Sequence, residues 1–150
     1  MVFLIISIII FHFILYLVPK KIKRHEIYSI ALFSIVLGFC SDVLFDLKYN
    51  FYGYFEKGPQ LAGFLPILGL FSPAGILFLN FYPFHKTIAM KCTYILVWTL
   101  FCLVFEYFSI VFGFFYHNEW KFLYSAIAYP ILLLLQIVHF RIYQTYTRKL

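Results

Sequence analysis

Three carboxylates fall inside apolar stretches of the sequence that contain no basic residue. Asp42 and Asp46 are four residues apart, so a helix would place them on one face, about 6 Å apart. Glu106 lies close to the middle of another apolar stretch. A carboxylate in hydrocarbon costs at least ~2.5 kcal/mol on insertion scales, so Glu106 is expected to face the interior of a helix bundle.

The chemistry of these acids has two interpretations. In the functional one, Asp42, Asp46 and Glu106 line a polar, outward-facing cavity for a proton, a metal cation or a cationic ligand. In the structural one, they are protonated or hydrogen-bonded and hold helices together. Asp46 could also lie in water at the membrane interface beside Lys48. Glu106 is the strongest candidate because it is the deepest of the three.

A short polar segment, 116–121 (YHNEWK), follows the stretch that contains Glu106. Tyr116 and Trp120 are residue types that anchor helices at the membrane interface. His117 could titrate near neutral pH, or it could donate hydrogen bonds together with Asn118 that cap the neighbouring helices. We predict a tight helical hairpin here, with His117 and Asn118 as candidates for the mouth of the cavity.

The sequence contains none of the common metal or nucleophile patterns. No CxxC, HxxxH, HExxH or GxSxG spacing and no glycine-rich phosphate loop occurs. Cys40, Cys92 and Cys102 lie in or beside apolar stretches, where free cysteine behaves as a small buried hydrophobe. We predict no metal and no cofactor, and an enzymatic role is the less favoured alternative.

The composition identifies lipid as the solvent of this chain. Hydrophobic residues make up 64% of the sequence and charged residues 12%, with a mean hydropathy of +0.91. Soluble domains carry about 25% charged residues, so this chain could not cover a surface in water. The net charge of +6 resides in short loops, which indicates contact with anionic lipid rather than nucleic acid.

Five apolar stretches predict one all-α, polytopic bundle of transmembrane helices with no soluble domain. Their predicted ranges are 2–18, 27–47, 58–80, 92–115 and 122–140. Basic residues follow the first stretch instead of preceding it, which predicts a retained span rather than a cleaved signal peptide. Pro66 and Pro73 in the third stretch predict a kinked helix, with a broken helix as the alternative.

The distribution of Lys and Arg predicts the orientation of the bundle. Nine of these residues fall on one side and three on the other, and the positive-inside rule assigns the larger group to the cytoplasm. The N-terminus is then outside, the C-terminus is cytoplasmic, and all three acids lie in the outer half. The inner group is Lys20, Lys21, Lys23, Arg24, Lys86, Lys91, Arg141, Arg148 and Lys149; the outer group is Lys48, Lys57 and Lys121.

A longer pattern includes the same acid and turn. A Glu is followed ten residues later by Tyr-His-Asn-x-Trp and then by a Ser in the last apolar stretch; these residues are Glu106, Tyr116, His117, Asn118, Trp120 and Ser125. This segment, 97–131, resembles a family of small integral membrane proteins of Gram-positive, spore-forming bacteria. Upstream, the aspartates followed by Tyr49 and Asn50 are similar as well. Glu119 and Tyr124 depart from the family pattern.

The resemblance implies a multi-pass protein of the bacterial cytoplasmic membrane but supplies no activity. Together with the acids, it favours a small component of transport or permeation that acts as a homo-oligomer or with another membrane protein. A non-catalytic scaffold or assembly partner is the first alternative. An enzyme that acts on lipid or isoprenoid at the outer leaflet is the second.

Overall fold

The computed structural model describes residues 1–56 and 61–147 and contains, in that part of the chain, five helices. The predicted helical architecture is therefore confirmed. Four helices, α2 to α5, are long and apolar enough to cross a membrane. The helices are α1 (Val2–Leu17), α2 (Arg24–Lys48), α3 (Leu61–Phe81), α4 (Ile88–Val111) and α5 (Phe122–Thr147).

Helix α1 is the short member of the set. Its 16 residues correspond to about 24 Å of helix, which is less than the ~30 Å hydrocarbon core of a bilayer. It nevertheless packs closely on the rest of the molecule. Leu4 is fully buried, and the ring of Phe3 stacks on that of Phe112 with centroids 4.6 Å apart.

Several helix ends differ from the predicted ranges because local backbone chemistry sets them. Helix α2 begins at Arg24 because the Glu26 carboxylate accepts the Lys23 backbone N–H at 2.7 Å, which caps the first turn. Helix α4 ends at Val111, before the predicted 115, where Gly113 adopts a φ of 72°. Helix α5 continues to Thr147, past the predicted 140. The predicted start of the third span, at 58, lies outside the described residues.

Helix α3 passes its two prolines without a break. The segment Ile67–Phe71, between Pro66 and Pro73, forms wide π-helical turns. Proline lacks the N–H that an α-helix requires, and a π segment is a common local response. Gly69 lets α1 approach here, since a Cβ at this position would lie 2.6 Å from Ile8 Cδ1.

Two short strands form a small sheet that the all-α prediction missed. Strand β1 (Tyr52–Tyr54) pairs antiparallel with β2 (Phe115–His117), and Gly53 lies opposite Tyr116. Residues 52–54 were predicted as part of a loop, Phe115 as the end of a helix, and Tyr116 and His117 as the start of a turn. Strands of three residues are too short to show a recognisable alternation of apolar and polar residues in the sequence, although aromatic residues favour strand geometry.

Two buried clusters of side chains occupy opposite ends of the bundle. One joins the start of α2 to the ends of α3 and α5, and its most buried members include Ile30, Phe78 and Phe140. The other lies beneath the sheet and includes Leu4, Leu70 and Phe114. Residues of both clusters contribute to the wall of one internal cavity.

Candidate functional site

The polar turn after β2 is fixed to the segment between α2 and β1. The backbone carbonyl of Phe51 accepts N–H groups from Asn118, Glu119 and Trp120 at 2.9, 3.2 and 3.0 Å. The side-chain amide of Asn118 donates to the carbonyl of Asn50 at 3.0 Å. Asn118 thus joins two loops, and its side chain does not cap a helix as one interpretation of the sequence expected.

Gly53 allows the two strands to pair closely. A Cβ at this position would collide with the ring and hydroxyl of Tyr116. Because side chains alternate along a strand, the neighbours Tyr52 and Tyr54 project to the same side. Both hydroxyls donate to one carboxylate oxygen, Asp42 Oδ1, at 2.9 and 3.3 Å.

Glu106 is enclosed by donors on both carboxylate oxygens. It is 3% exposed, and Oε1 accepts the hydroxyl of Ser125 at 2.7 Å and lies 2.6 Å from His117 Nε2. The hydroxyl of Tyr129 donates to Oε2 at 2.5 Å. Such bonds to a carboxylate are among the strong hydrogen bonds of proteins. Both oxygens of Glu106 therefore have partners within the protein.

A relay of hydrogen bonds connects Glu106 to Trp120 on the polar turn. The indole N–H of Trp120 donates to Ser125 Oγ at 2.7 Å, and Ser125 donates onward to Glu106. Sequence reasoning singled out Ser125 but missed Tyr129, which is one helical turn further along α5. The spacing of four residues, which places two side chains on one helix face, was the signal that could have found it.

Asp42 is buried like Glu106 but has one free oxygen. It is 7% exposed, and its Oδ2 is buried without a hydrogen-bond partner among the described residues. Burial is the main cause that raises the pKa values of the Tyr52 and Tyr54 hydroxyls, and the negative charge of nearby Asp42 is the second. Both phenols thus remain protonated donors to Oδ1 near neutral pH.

Asp46 has a different environment from the other two acids. It lies in the π-helical end of α2 and is only partly buried. The ammonium of Lys48 lies 5.1 Å from the centre of the Tyr49 ring, and no ion pair joins Lys48 to Asp46 in the described part of the chain. In residues 1–56 and 61–147, His117–Glu106 is the single pair within salt-bridge distance.

A cavity of about 380 Å³ connects the two buried acids. Helices α2 to α5 and both strands contribute to its wall, which is mostly apolar. Asp42, Glu106 and Ser125 line it, whereas Asp46, His117 and Asn118 do not. The structure therefore brings together two of the three predicted acids in one cavity. The predicted mouth residues, His117 and Asn118, are not part of its lining.

A second polar pair lines the same cavity, and sequence reasoning missed it. The Gln136 amide donates to Ser34 Oγ at 2.8 Å, while Gln136 Oε1 is buried without a partner in the described structure. Gly75 is needed beside this pair, since a Cβ there would collide with Ser34. Ser34, Gly38 and Asp42 recur every four residues along α2, and this stripe of small and polar residues was the available signal.

Polar contacts also hold the opposite end of the bundle together. Glu26, 6% exposed, accepts the Gln144 amide at 2.9 Å. Ser29 and His139 are hydrogen-bonded at 3.0 Å, and Asn80 accepts the Lys21 backbone N–H at 2.7 Å. These contacts join α2 to α5, and α3 to the loop after α1. We assign them a structural role.

No group of three or more His, Cys, Asp or Glu side chains that could hold a metal ion occurs in the described ranges. Cys40, Cys92 and Cys102 are free thiols. Cys40 and Cys92 are exposed on the apolar surface rather than buried as the sequence predicted, and Cys102 is partly buried and lines the cavity.

No protein-family model, curated protein or solved structure matches this chain. The resemblance to membrane proteins of spore-forming bacteria stays a prediction.

Proposed function

We propose that this chain binds a small amphiphilic molecule inside the membrane, as a component of transport or permeation. The observation that carries the proposal is a largely apolar cavity of about 380 Å³ whose wall includes Asp42, a buried carboxylate with one oxygen, Oδ2, that has no hydrogen-bond partner among the described residues. A buried acceptor without a donor costs about 1–3 kcal/mol. A ligand that brings a donor to this oxygen, and an apolar body to the remaining wall, would recover that free energy.

The size and lining of the cavity support a small-molecule site. Ligand cavities typically measure about 300–1,000 Å³ and combine apolar walls with a few polar groups. Gln136 Oε1 supplies a second unpartnered acceptor in the same wall. Buried acceptors in native proteins are mostly satisfied by protein groups or ordered water, and a ligand that carries donors would satisfy both of these.

The two acids that line the cavity have different roles in this proposal. Glu106 has donors on both oxygens, so it holds α4, α5 and β2 in position. Asp42 keeps one oxygen for the ligand. The carboxylate that contacts the ligand is thus Asp42, and the deeper acid supports the wall around it.

The proposal includes the membrane topology derived from charge. Five spans with an external N-terminus would put the sheet and Asp42 in the outer half of a bacterial cytoplasmic membrane. Nine basic residues against three support this orientation. Helix α1 is short for a span, and local thinning of the bilayer would accommodate it.

The alternatives receive less support from the described residues. In an enzyme that acts on lipid or isoprenoid with Ser125 as nucleophile, Glu106 would be the base, but its carboxylate oxygens are also bonded to His117 and Tyr129, which favours a structural role. A scaffold would use the outer surface of the bundle, and it would have no need of an acceptor-lined cavity.

Saturable binding of a neutral amphiphile tests the proposal. We expect the purified full chain in nanodiscs to bind tritiated octanol saturably. The variant Ala128→Phe, which fills the cavity from α5, should lose this binding. Ala74→Leu, which narrows the cavity from α3, should weaken it.

Ala89→Phe provides the matched control, because Ala89 is exposed on α4 and outside the cavity. This variant should bind octanol like the wild type. Octanol uptake that is non-saturable, or equal in Ala128→Phe and Ala89→Phe, would overturn the proposed function.

A further inference from the structure

Aromatic side chains are clustered at the end of the cavity where the hydroxyls of Tyr52 and Tyr54 bond Asp42. Rings from α2, from both strands and from the turn before α5 line the cavity beside it: Phe45, Tyr52, Tyr54, Phe115 and Trp120. Tyr52 is central to this group, with its ring 5.6 Å from Trp120 in an edge-on arrangement and 5.2 Å from Phe115. Aromatic enclosures of this kind attract organic cations through the quadrupole of the rings.

The charges at this end of the cavity also select a cation. Within residues 1–56 and 61–147, no Lys or Arg lines it. The imidazole of His117 is engaged with Glu106, so it is not available to Asp42. Asp46, on the following turn of α2, adds further negative charge close by. A buried carboxylate is neutralised either by a proton or by a cationic partner.

A metal ion does not fit this site. Calcium and magnesium require six or more oxygen ligands, or several retained waters, whereas the wall beside Asp42 is largely aromatic and aliphatic. An ammonium group fits better, since it combines charge with N–H donors for Asp42 Oδ2 and can carry an apolar chain.

We propose that the ligand of the cavity is an alkylammonium amphiphile whose N–H group donates to Asp42 Oδ2 inside this aromatic enclosure. The inference rests on the proposed function and names its ligand class. The apolar chain extends from Asp42 along Leu70 and Leu132, which line the cavity on α3 and α5.

Competition among probes of equal chain length tests this inference. Octylamine, octanol, octanoate and octyltrimethylammonium are compared as competitors of tritiated octylamine on the full chain in nanodiscs. We expect octylamine to bind at least about tenfold more tightly than octanol, a difference within reach of one charged contact. Octanoate should bind most weakly, and octyltrimethylammonium, which has no N–H, should bind more weakly than octylamine.

Two matched variants distinguish the contribution of Asp42, which lines the cavity, from that of its neighbour Asp46. Asp42→Asn retains an acceptor for Tyr52 but removes the charge, so octylamine and octanol should bind this variant equally. Asp46→Asn makes the same chemical change outside the cavity wall and should preserve most of the preference for octylamine.

The wild-type comparison can overturn the inference even if Asp42→Asn fails to fold. Equal binding of octylamine and octanol would contradict the ammonium assignment and leave the proposed cavity function intact. Equal binding of octylamine and octyltrimethylammonium would contradict the N–H contact. Absence of saturable binding by every probe would overturn the proposed function together with the inference.

Discussion

Glu106 and Asp42 are both buried carboxylates, but their oxygens have different surroundings. Glu106 has three partners distributed over two oxygens. Asp42 has two donors on one oxygen and, within the described residues, none on the other. The sequence indicated that both acids were unusual because each lies in an apolar stretch. It could not assign their roles, since the donors are distant in sequence.

At Glu106, the structure predicts a loss of stability on amide substitution. Glu106→Gln would place an NH₂ group against groups that donate hydrogen bonds to the carboxylate, such as the hydroxyls of Ser125 and Tyr129. We therefore expect this variant to lower the free energy of unfolding by about 2–4 kcal/mol. SDS-induced unfolding of the purified protein measures this change. Glu119→Gln, at an exposed acid on the polar turn, is the control and should leave the midpoint unchanged. Equal midpoints for both variants would refute the structural role of Glu106.

At Tyr52, the loss of one hydroxyl should have a smaller effect. Tyr52→Phe removes the 2.9 Å bond to Asp42 and should cost about 1 kcal/mol of unfolding free energy. The same measurement on Tyr49→Phe, whose side chain is exposed, should give the wild-type value. A destabilisation shared by both variants would show that the hydroxyl contact is unimportant.

Among the elements, the helices follow from the sequence far better than the small sheet does. Long apolar runs identify α2 to α5 because backbone groups in lipid must be satisfied within each helix. The strands depend instead on long-range pairing between residues 52–54 and 115–117. The tight turn expected after α4 is therefore part of a larger structure that positions Tyr52 and Tyr54 over Asp42.

The closeness of the two strands gives a prediction for Gly53. Gly53→Ala would force its methyl group into the ring of Tyr116, and we expect a loss of about 1–3 kcal/mol in unfolding free energy. The double variant Gly53→Ala with Tyr116→Ala should regain part of that loss, because the collision is removed. Additive losses in a double-mutant cycle on SDS unfolding would indicate that the strands do not pair in this register.

At the scale of the whole molecule, composition predicted the lipid environment and the set of apolar helices, but it could not predict the cavity. The cavity depends on how Pro66, Gly38 and Gln136 from three helices come together around one space. Such placement follows from packing between distant segments, which periodicity within a single helix does not encode. The stripe of Ser34, Gly38 and Asp42 on α2 was the nearest local signal.

The proposed topology makes a prediction for the intact cell. An epitope tag added before Met1 should react with antibody on bacterial protoplasts, which lack the cell wall but keep an intact membrane. A tag added after Leu150 should react only after the membrane is permeabilised. The physical reason is the excess of basic residues on the inner side. The reverse pattern of labelling would invert the bundle and move Asp42 to the inner half.

The most direct test of the central claim is native mass spectrometry of the full chain purified from its own membrane. We predict that wild-type protein carries a small cationic amphiphile that is released on activation, and that Ala128→Phe carries none. Ala89→Phe should release the same molecule as the wild type. Identical sets of released molecules from the wild type and Ala128→Phe would contradict a ligand in the cavity.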